Sequence, residues 1–134
     1  MHFETGLLNP NTFILGDLKT TFFPDLEQIK EAAKTLEGVA ALTPLMPSLN
    51  YSRKFEANVM LKREDLQQVR SYKIRGAFNK INSLTEEERA KGIVCASAGN
   101  HPRQVAFACA RLKINGTIFM PWLMPKQKIE EVEM

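Results

Sequence analysis

Ser71-Tyr72-Lys73-Ile74-Arg75-Gly76-Ala77 is the stretch whose reading decides the fold, and Ser97-Ala98-Gly99-Asn100-His101, one βα unit later, is its partner. Each follows a short apolar run able to form a strand, and each opens a helix. Ile74, Ala77, Phe78 and Ile81 recur at helical spacing, which predicts an amphipathic helix carrying Lys73. Strands of a parallel sheet deliver their following loops to one edge, where ligands of open α/β sheets bind. A lysine therefore faces a small, amide-rich turn.

An ε-ammonium is a hydrated point charge that becomes a nucleophile only when burial or a neighbouring cation weakens its hold on the proton. Lys73 lies between Tyr72 and Ile74 with Arg75 two residues on, so both influences are expected there. Taken by itself, a lysine in a helix is ordinarily a solvated side chain. Gly76 leaves room for close approach of a neighbour or ligand to the first turns. In the partner turn the side chains shrink abruptly at Ser97. Asn100 suits a helix cap and Pro102 a first helical turn, and a helix start of this kind offers unpaired N–H groups to an anion. Alone, such a turn is as well read as a linker.

Outward from these stretches, Pro24-Asp25 starts a helix with a capping box to Gln28, an apolar stripe at Leu26, Ile29, Ala33 and Leu36, and a stop at Gly38. Residues 1–23, with a turn at Asn9-Pro10-Asn11, read as a loosely held lead. Thr43 to Pro47 is extended, because proline biases its predecessor away from helix. Asn58 to Lys62 is a short strand, and Arg63-Glu64-Asp65 is a charged loop to which no chemistry is assigned. Thr85-x-x-Glu88 caps a second helix ended by Gly92. Ile93 to Ala96 reads as a buried strand, Val105, Ala108, Cys109 and Leu112 as the inner face of a helix, and Gly116 to Met120 as the next strand. A last helix starts at Pro125.

The chain has 134 residues, 44% hydrophobic and 25% charged, with a formal net charge of +3. That is one domain's worth at most, ordinary for a soluble protein, with no block of basic residues to suggest a nucleic-acid arm. Cys95 and Cys109 lie outside any C-x-x-C, and His2 and His101 are far apart, so no metal site is expected and both thiols read as buried and free. Neither a signal peptide nor a membrane span is indicated, which makes the cytoplasm the expected compartment.

Ser71 to Ala77, preceded by Leu61-Lys62-Arg63-Glu64-Asp65-Leu66-Gln67 and followed by Ser97 to His101, resembles the pyridoxal-phosphate enzymes of the tryptophan-synthase-β fold type, and among them the threonine dehydratases (threonine deaminases). The resemblance runs from about Leu42-Thr43-Pro44-Leu45 to the C-terminus. It implies an α/β fold, an open, mostly parallel three-layer sheet with flanking helices, of which this chain holds only the N-terminal part. It implies residues 1–41 as lead and helix, and 42–134 as a partial catalytic domain. It further implies pyridoxal 5'-phosphate carried covalently on Lys73, with Tyr72 and Asn100 at the cofactor, the latter on its ring hydroxyl. Ser97, Ala98, Gly99, Asn100 and His101 would receive the substrate carboxylate.

The implied reaction converts L-threonine to 2-oxobutanoate and ammonia, in isoleucine biosynthesis. The implied partners are a small amino-acid substrate and further copies of the chain, since the family is usually homo-oligomeric. Ala98 and His101 lean toward the threonine enzymes over serine-acting relatives, which share the chemistry. Two departures stand out. No two glycines are closer than Gly92 and Gly99, so the family's glycine-rich phosphate loop is absent, as expected of a truncated form or an inactive remnant. The chain also reads His101-Pro102-Arg103-Gln104 where threonine dehydratases usually read His-Ala-Gln-Gly.

Overall fold

Capping and periodicity set most of the elements. In a computed structural model that describes residues 23–97, 99, 101–130 and 132, the order is α1 (Leu26–Thr35), β1 (Leu45–Pro47), α2 (Leu49–Phe55), β2 (Met60–Lys62), a 3-10 turn at Glu64–Leu66, α3 (Lys73–Asn82), α4 (Glu86–Ala90), β3 (Ile93–Ala96), α5 (His101–Leu112), β4 (Gly116–Phe119) and α6 (Lys126–Glu130). The lead read over residues 1–22 lies outside the described residues. Both expected capping boxes form. The Gln28 N–H donates to Asp25 Oδ1 at 2.8 Å and the Asp25 N–H to Gln28 Oε1 at 3.0 Å. At α4 the Glu88 N–H donates to Thr85 Oγ1 and the Thr85 N–H to Glu88 Oε2. Gly92 ends that unit at φ +78°, a conformation that strains any residue with a Cβ.

β3 and β4 pair in parallel, with Cys95 opposite Ile118 and Ala96 opposite Phe119. Helix α5 supplies the crossover between them, as parallel neighbours require. The core lies on one face of this pair, where Phe78 and Ile81 of α3 meet Val105, Ala108 and Cys109 of α5 over Cys95. Ile74, Ala77, Phe78 and Ile81 are all buried, as their spacing predicts. On the other face Val94 and Phe119 stand exposed. The α/β, parallel arrangement is thus present in part, with helices on one face among the described residues.

Three expectations need correction. β3 is not buried throughout: only Cys95 is, because every second residue of a strand points to the bare face. The α1 stripe is mostly exposed, and only Leu36, just past the helix, packs against the core. The extended Leu45–Pro47 and the strand Met60–Lys62 are not separate segments but an antiparallel pair, Leu45 opposite Lys62 and Pro47 opposite Met60. Helix α2 between them has no counterpart in the sequence reading.

A carboxylate joins this small hairpin-like unit to α3. Glu64 accepts from Thr43 Oγ1 at 2.6 Å, from Gln67 Nε2 at 3.2 Å, and from Arg75 through Nε at 2.9 Å and Nη2 at 2.9 Å. Gln67, itself buried, exchanges two hydrogen bonds with the backbone of Ala41. The two-pronged grip of Arg75 is the main cause that holds the Glu64 carboxyl down to about 2, helped by Thr43 and Gln67 and opposed by burial.

Two stability outcomes follow from these contacts. A Cβ at Gly116 would meet Cys109 Sγ at 3.1 Å, so Gly116→Ala should lower the urea-unfolding free energy by about 1 kcal/mol, and less in a Cys109→Ala background. Glu64→Gln should cost about 2 kcal/mol at pH 7. Because the folded carboxyl is depressed, its contribution is complete above its ordinary pKa of 4.5 and is lost as pH falls through about 2. Urea midpoints of the wild type and Glu64→Gln should therefore converge between about pH 5 and pH 2.

Candidate active site

Lys73 is the first residue of α3, and its surroundings alternate sharply. Ser71 is buried, Tyr72 exposed, Lys73 half-buried and Ile74 fully buried. Tyr72 makes no side-chain cap; instead Ser71 Oγ accepts from the Lys73 N–H at 3.3 Å. Three and four residues along a helix lie on one face, so Lys73 shares a stripe with Gly76, Ala77 and Lys80. The last three border an open groove of about 420 Å³, whose other walls include Ala96 at the end of β3 and His101 and Val105 of α5. A Cβ on Gly76 would find no atom within 4 Å. The close approach expected at Gly76 is thus made by none of the described residues, and open space lies beside the lysine's helix.

The partner turn begins where the parallel ladder ends. The Ser97 N–H donates to Phe119 O at 3.1 Å, which carries the β3–β4 pairing to the edge of the turn. Ser97 Oγ accepts from the Gly99 N–H at 3.2 Å, a serine turn that folds the chain toward α5. His101 and Ser97 are half-buried and Gly99 is exposed. Ala98 and Asn100, given roles at the carboxylate and ring hydroxyl, lie outside the described residues. The structure brings His101 to the groove beside α3, whereas Gly99 lines a second cavity of about 320 Å³ with Val69, Arg70 and Pro102.

Arg75, expected as a positive charge near Lys73, is engaged by Glu64. That acid lies in the run to which the sequence reading assigned no chemistry. Glu64 and Arg75 are 11 residues apart and on different elements, so no local period links them. Gln104 was noted only as a departure in sequence. It is fully buried and donates through Nε2 to Val69 O at 3.2 Å, tying α5 to the loop that leads into α3.

A primary amine at the start of one helix, a hydroxyl at the end of the neighbouring strand, and an open groove along the lysine's helix are groups that can hold an aldehyde-bearing ligand and a carboxylate. These residues fit pyridoxal phosphate at its aldehyde end. The chain has no glycine-rich run to cradle the phosphate. Among the described residues no group of three His, Cys, Asp or Glu could hold a metal ion, and no helix is long and apolar enough to cross a membrane.

Comparison with known proteins places the chain in a family. The chain is 51% identical over 108 residues to the biosynthetic L-threonine dehydratase of Halalkalibacterium halodurans, covering 81% of this chain and 26% of that protein. It is 45% identical over 117 residues to the Bacillus subtilis enzyme of the same name, covering 87% and 28%. The chain thus spans about a quarter of the length of these relatives. Among solved structures it is similar to maize serine racemase, with TM-score 0.76 and 33% identity over 84% of this chain and 34% of the other. It is also similar to the processed form of threonine deaminase isoform 2 from Solanum lycopersicum, with TM-score 0.67 and 36% identity over 82% and 32%. Residues 36–134 match the family described as pyridoxal-phosphate dependent enzyme, and on that match, together with the lysine helix and the serine turn, the chain belongs to the pyridoxal-phosphate dependent enzymes.

Proposed function

We propose that this chain supplies the lysine-bearing part of a threonine dehydratase, converting L-threonine to 2-oxobutanoate and ammonia. The single observation that carries the reading is Lys73 at the start of α3, on the stripe of the helix that borders the groove reaching Ala96 and His101. Identity of 45% to 51% with proteins named threonine dehydratase supports the choice of substrate, while the serine racemase neighbour keeps a serine-acting relative as second reading.

When bound, pyridoxal phosphate supplies an electron sink for a carbanion at the substrate Cα. Lys73 would hold the cofactor through its amine and, once the substrate amine has displaced it, would be the free base that accepts the Cα proton. Tyr72 and Asn100 would help hold the cofactor, Asn100 at its ring hydroxyl. The Ser97 hydroxyl, with the backbone of Ala98 and Gly99 and with His101, orients the substrate carboxylate so that the Cα–H bond faces the amine. Residues beyond the matched quarter of the relatives would contribute the phosphate contacts. In this reading residues 42–134 are part of the catalytic domain and 1–41 its lead. Buried free Cys95 and Cys109 fit a reducing, cytoplasmic setting.

The test joins residues 24–134 to the remainder of the Bacillus subtilis relative in place of its matched segment. The chimera should release 2-oxobutanoate from L-threonine faster than pyruvate from L-serine, and Lys73→Ala should lower the rate by at least about a hundredfold. Preference for L-serine would select the second reading, and a chimera unaffected by Lys73→Ala would refute the assignment of the lysine.

A further inference from the structure

What aims the lysine is a separate question from what the lysine does. The Ile74 N–H reaches Ser71 O at 3.4 Å, the Arg75 N–H reaches Tyr72 O at 3.1 Å, and the N-cap residue contributes no side-chain bond. A helix start of this kind frays unless side chains hold it. Ser71 Oγ, which accepts from the Lys73 N–H, is one of them, and two more flank Lys73 on the C-terminal side. Ile74 is driven wholly into the core, and Arg75 grips Glu64 through two nitrogens.

Glu64 in turn is not a free surface acid. Thr43 Oγ1, which is buried, donates to it, and Gln67 links it to the backbone of Ala41, which also accepts from Arg75 Nη2 at 3.3 Å. The clasp therefore connects the first turn of α3 to a segment 34 residues earlier in the chain. Burial of Ile74 fixes how far the turn sinks. A planar guanidinium held by both oxygens of one carboxylate fixes its rotation. Together they define the direction from which the side chain at position 73 leaves the helix.

We propose that Glu64 is the positioning residue for Lys73: its carboxylate, anchored by Thr43 and Gln67, locks the first turn of α3 through Arg75 and so sets the line along which the lysine amine meets an aldehyde. The inference rests on the assignment of Lys73 made above. Glu64 touches neither substrate nor cofactor, and acts only through the turn.

The test uses the 134-residue chain with pyridoxal 5'-phosphate as the only added ligand. Borohydride quenching and peptide mapping compare modification at Lys73 with that at Lys80, an exposed lysine of the same helix. Amide hydrogen exchange is followed at residues 73–75 and, as a control for folding, at 105–109. In Glu64→Gln the Lys73-to-Lys80 labelling ratio should fall about tenfold and exchange at 73–75 should quicken about fivefold beyond the quickening that the lower global stability brings to 105–109. Arg75→Gln should do the same, and the double variant should lose less than the sum of the two, since each acts through the other. If Glu64→Gln quickens 105–109 as much as 73–75, Arg75→Lys, which keeps the charge without the two-pronged grip, is judged by the same criteria. Labelling and exchange unchanged from the wild type would overturn the role of Glu64. A wild-type chain with no preference for Lys73 would instead overturn the lysine assignment. Exchange at 73–75 would then decide Glu64 alone, upheld if it quickens and overturned if it does not.

Discussion

Among the described residues, the buried apolar side chains are concentrated on α3 and α5, and the seam between these helices is where they meet. Phe78 and Ile81 bring bulk from one side, and Val105, Ala108 and Cys109 bring smaller side chains from the other. Large against small lets two helices interdigitate without voids. Burial of each large side chain contributes about 2 kcal/mol, so the seam outweighs any hydrogen bond in the molecule. Its consequence reaches the site directly. Lys73 opens one of these helices and His101 opens the other, so the packing that stabilises the fold also fixes the two chemically interesting helix starts relative to each other.

The sheet beneath the seam is finished on one face only. Ile93-Val94-Cys95-Ala96 is apolar at every position, the pattern of a parallel strand covered on both sides. Here Cys95 is buried under the helices while Val94 is 70% exposed, and Phe119 on β4 is exposed with it. Trp122 and Leu123, each 93% exposed, extend the apolar surface past the end of β4. Apolar residues at both alternations make sense if the second face is covered in the longer relatives, of which this chain matches about a quarter.

Elements governed by neighbours in sequence were legible from it. The α3 and α5 stripes, the two capping boxes, the Gly92 stop and the β3 and β4 segments all depend on spacings of two to four residues, and each formed where the pattern placed it. The misses share a cause in distance. Pairing of β1 with β2 joins Leu45 to Lys62 across helix α2, and neither three-residue strand is long enough to show an alternation. The α1 stripe has a helical period but little in the described chain to bury against, and period alone does not say whether a partner exists. The site divides the same way. Lys73 and the Ser97 turn were visible as motifs, whereas Glu64 looked like any acid in a mixed charged run. What distinguishes it is contact with Thr43 and Arg75, 21 and 11 residues away.

Such long reaches are made by side-chain amides and one carboxylate, and that choice follows from the sheet's small size. Two pairs of short strands leave the loops around 41–43 and 67–71 without ladder partners, yet Thr43, Gln67, Val69 and Ser71 are buried there. Buried backbone polar groups must still be paired. Gln67, buried itself, pairs its own amide by bonding both the N–H and the C=O of the exposed Ala41, as a second strand would have done. Gln104, where the resembled family carries a small residue, pairs Val69 O, the last buried backbone position before Arg70 turns at φ +58°. Its Oε1 has no partner among the described residues, a cost of about 1–3 kcal/mol. A side chain that leaves one polar atom unpaired is retained in a core only where its other contact matters. For Gln104 that contact ties α5 to the loop that enters α3, so both glutamines and Glu64 converge on the same short segment, the one that ends in Lys73.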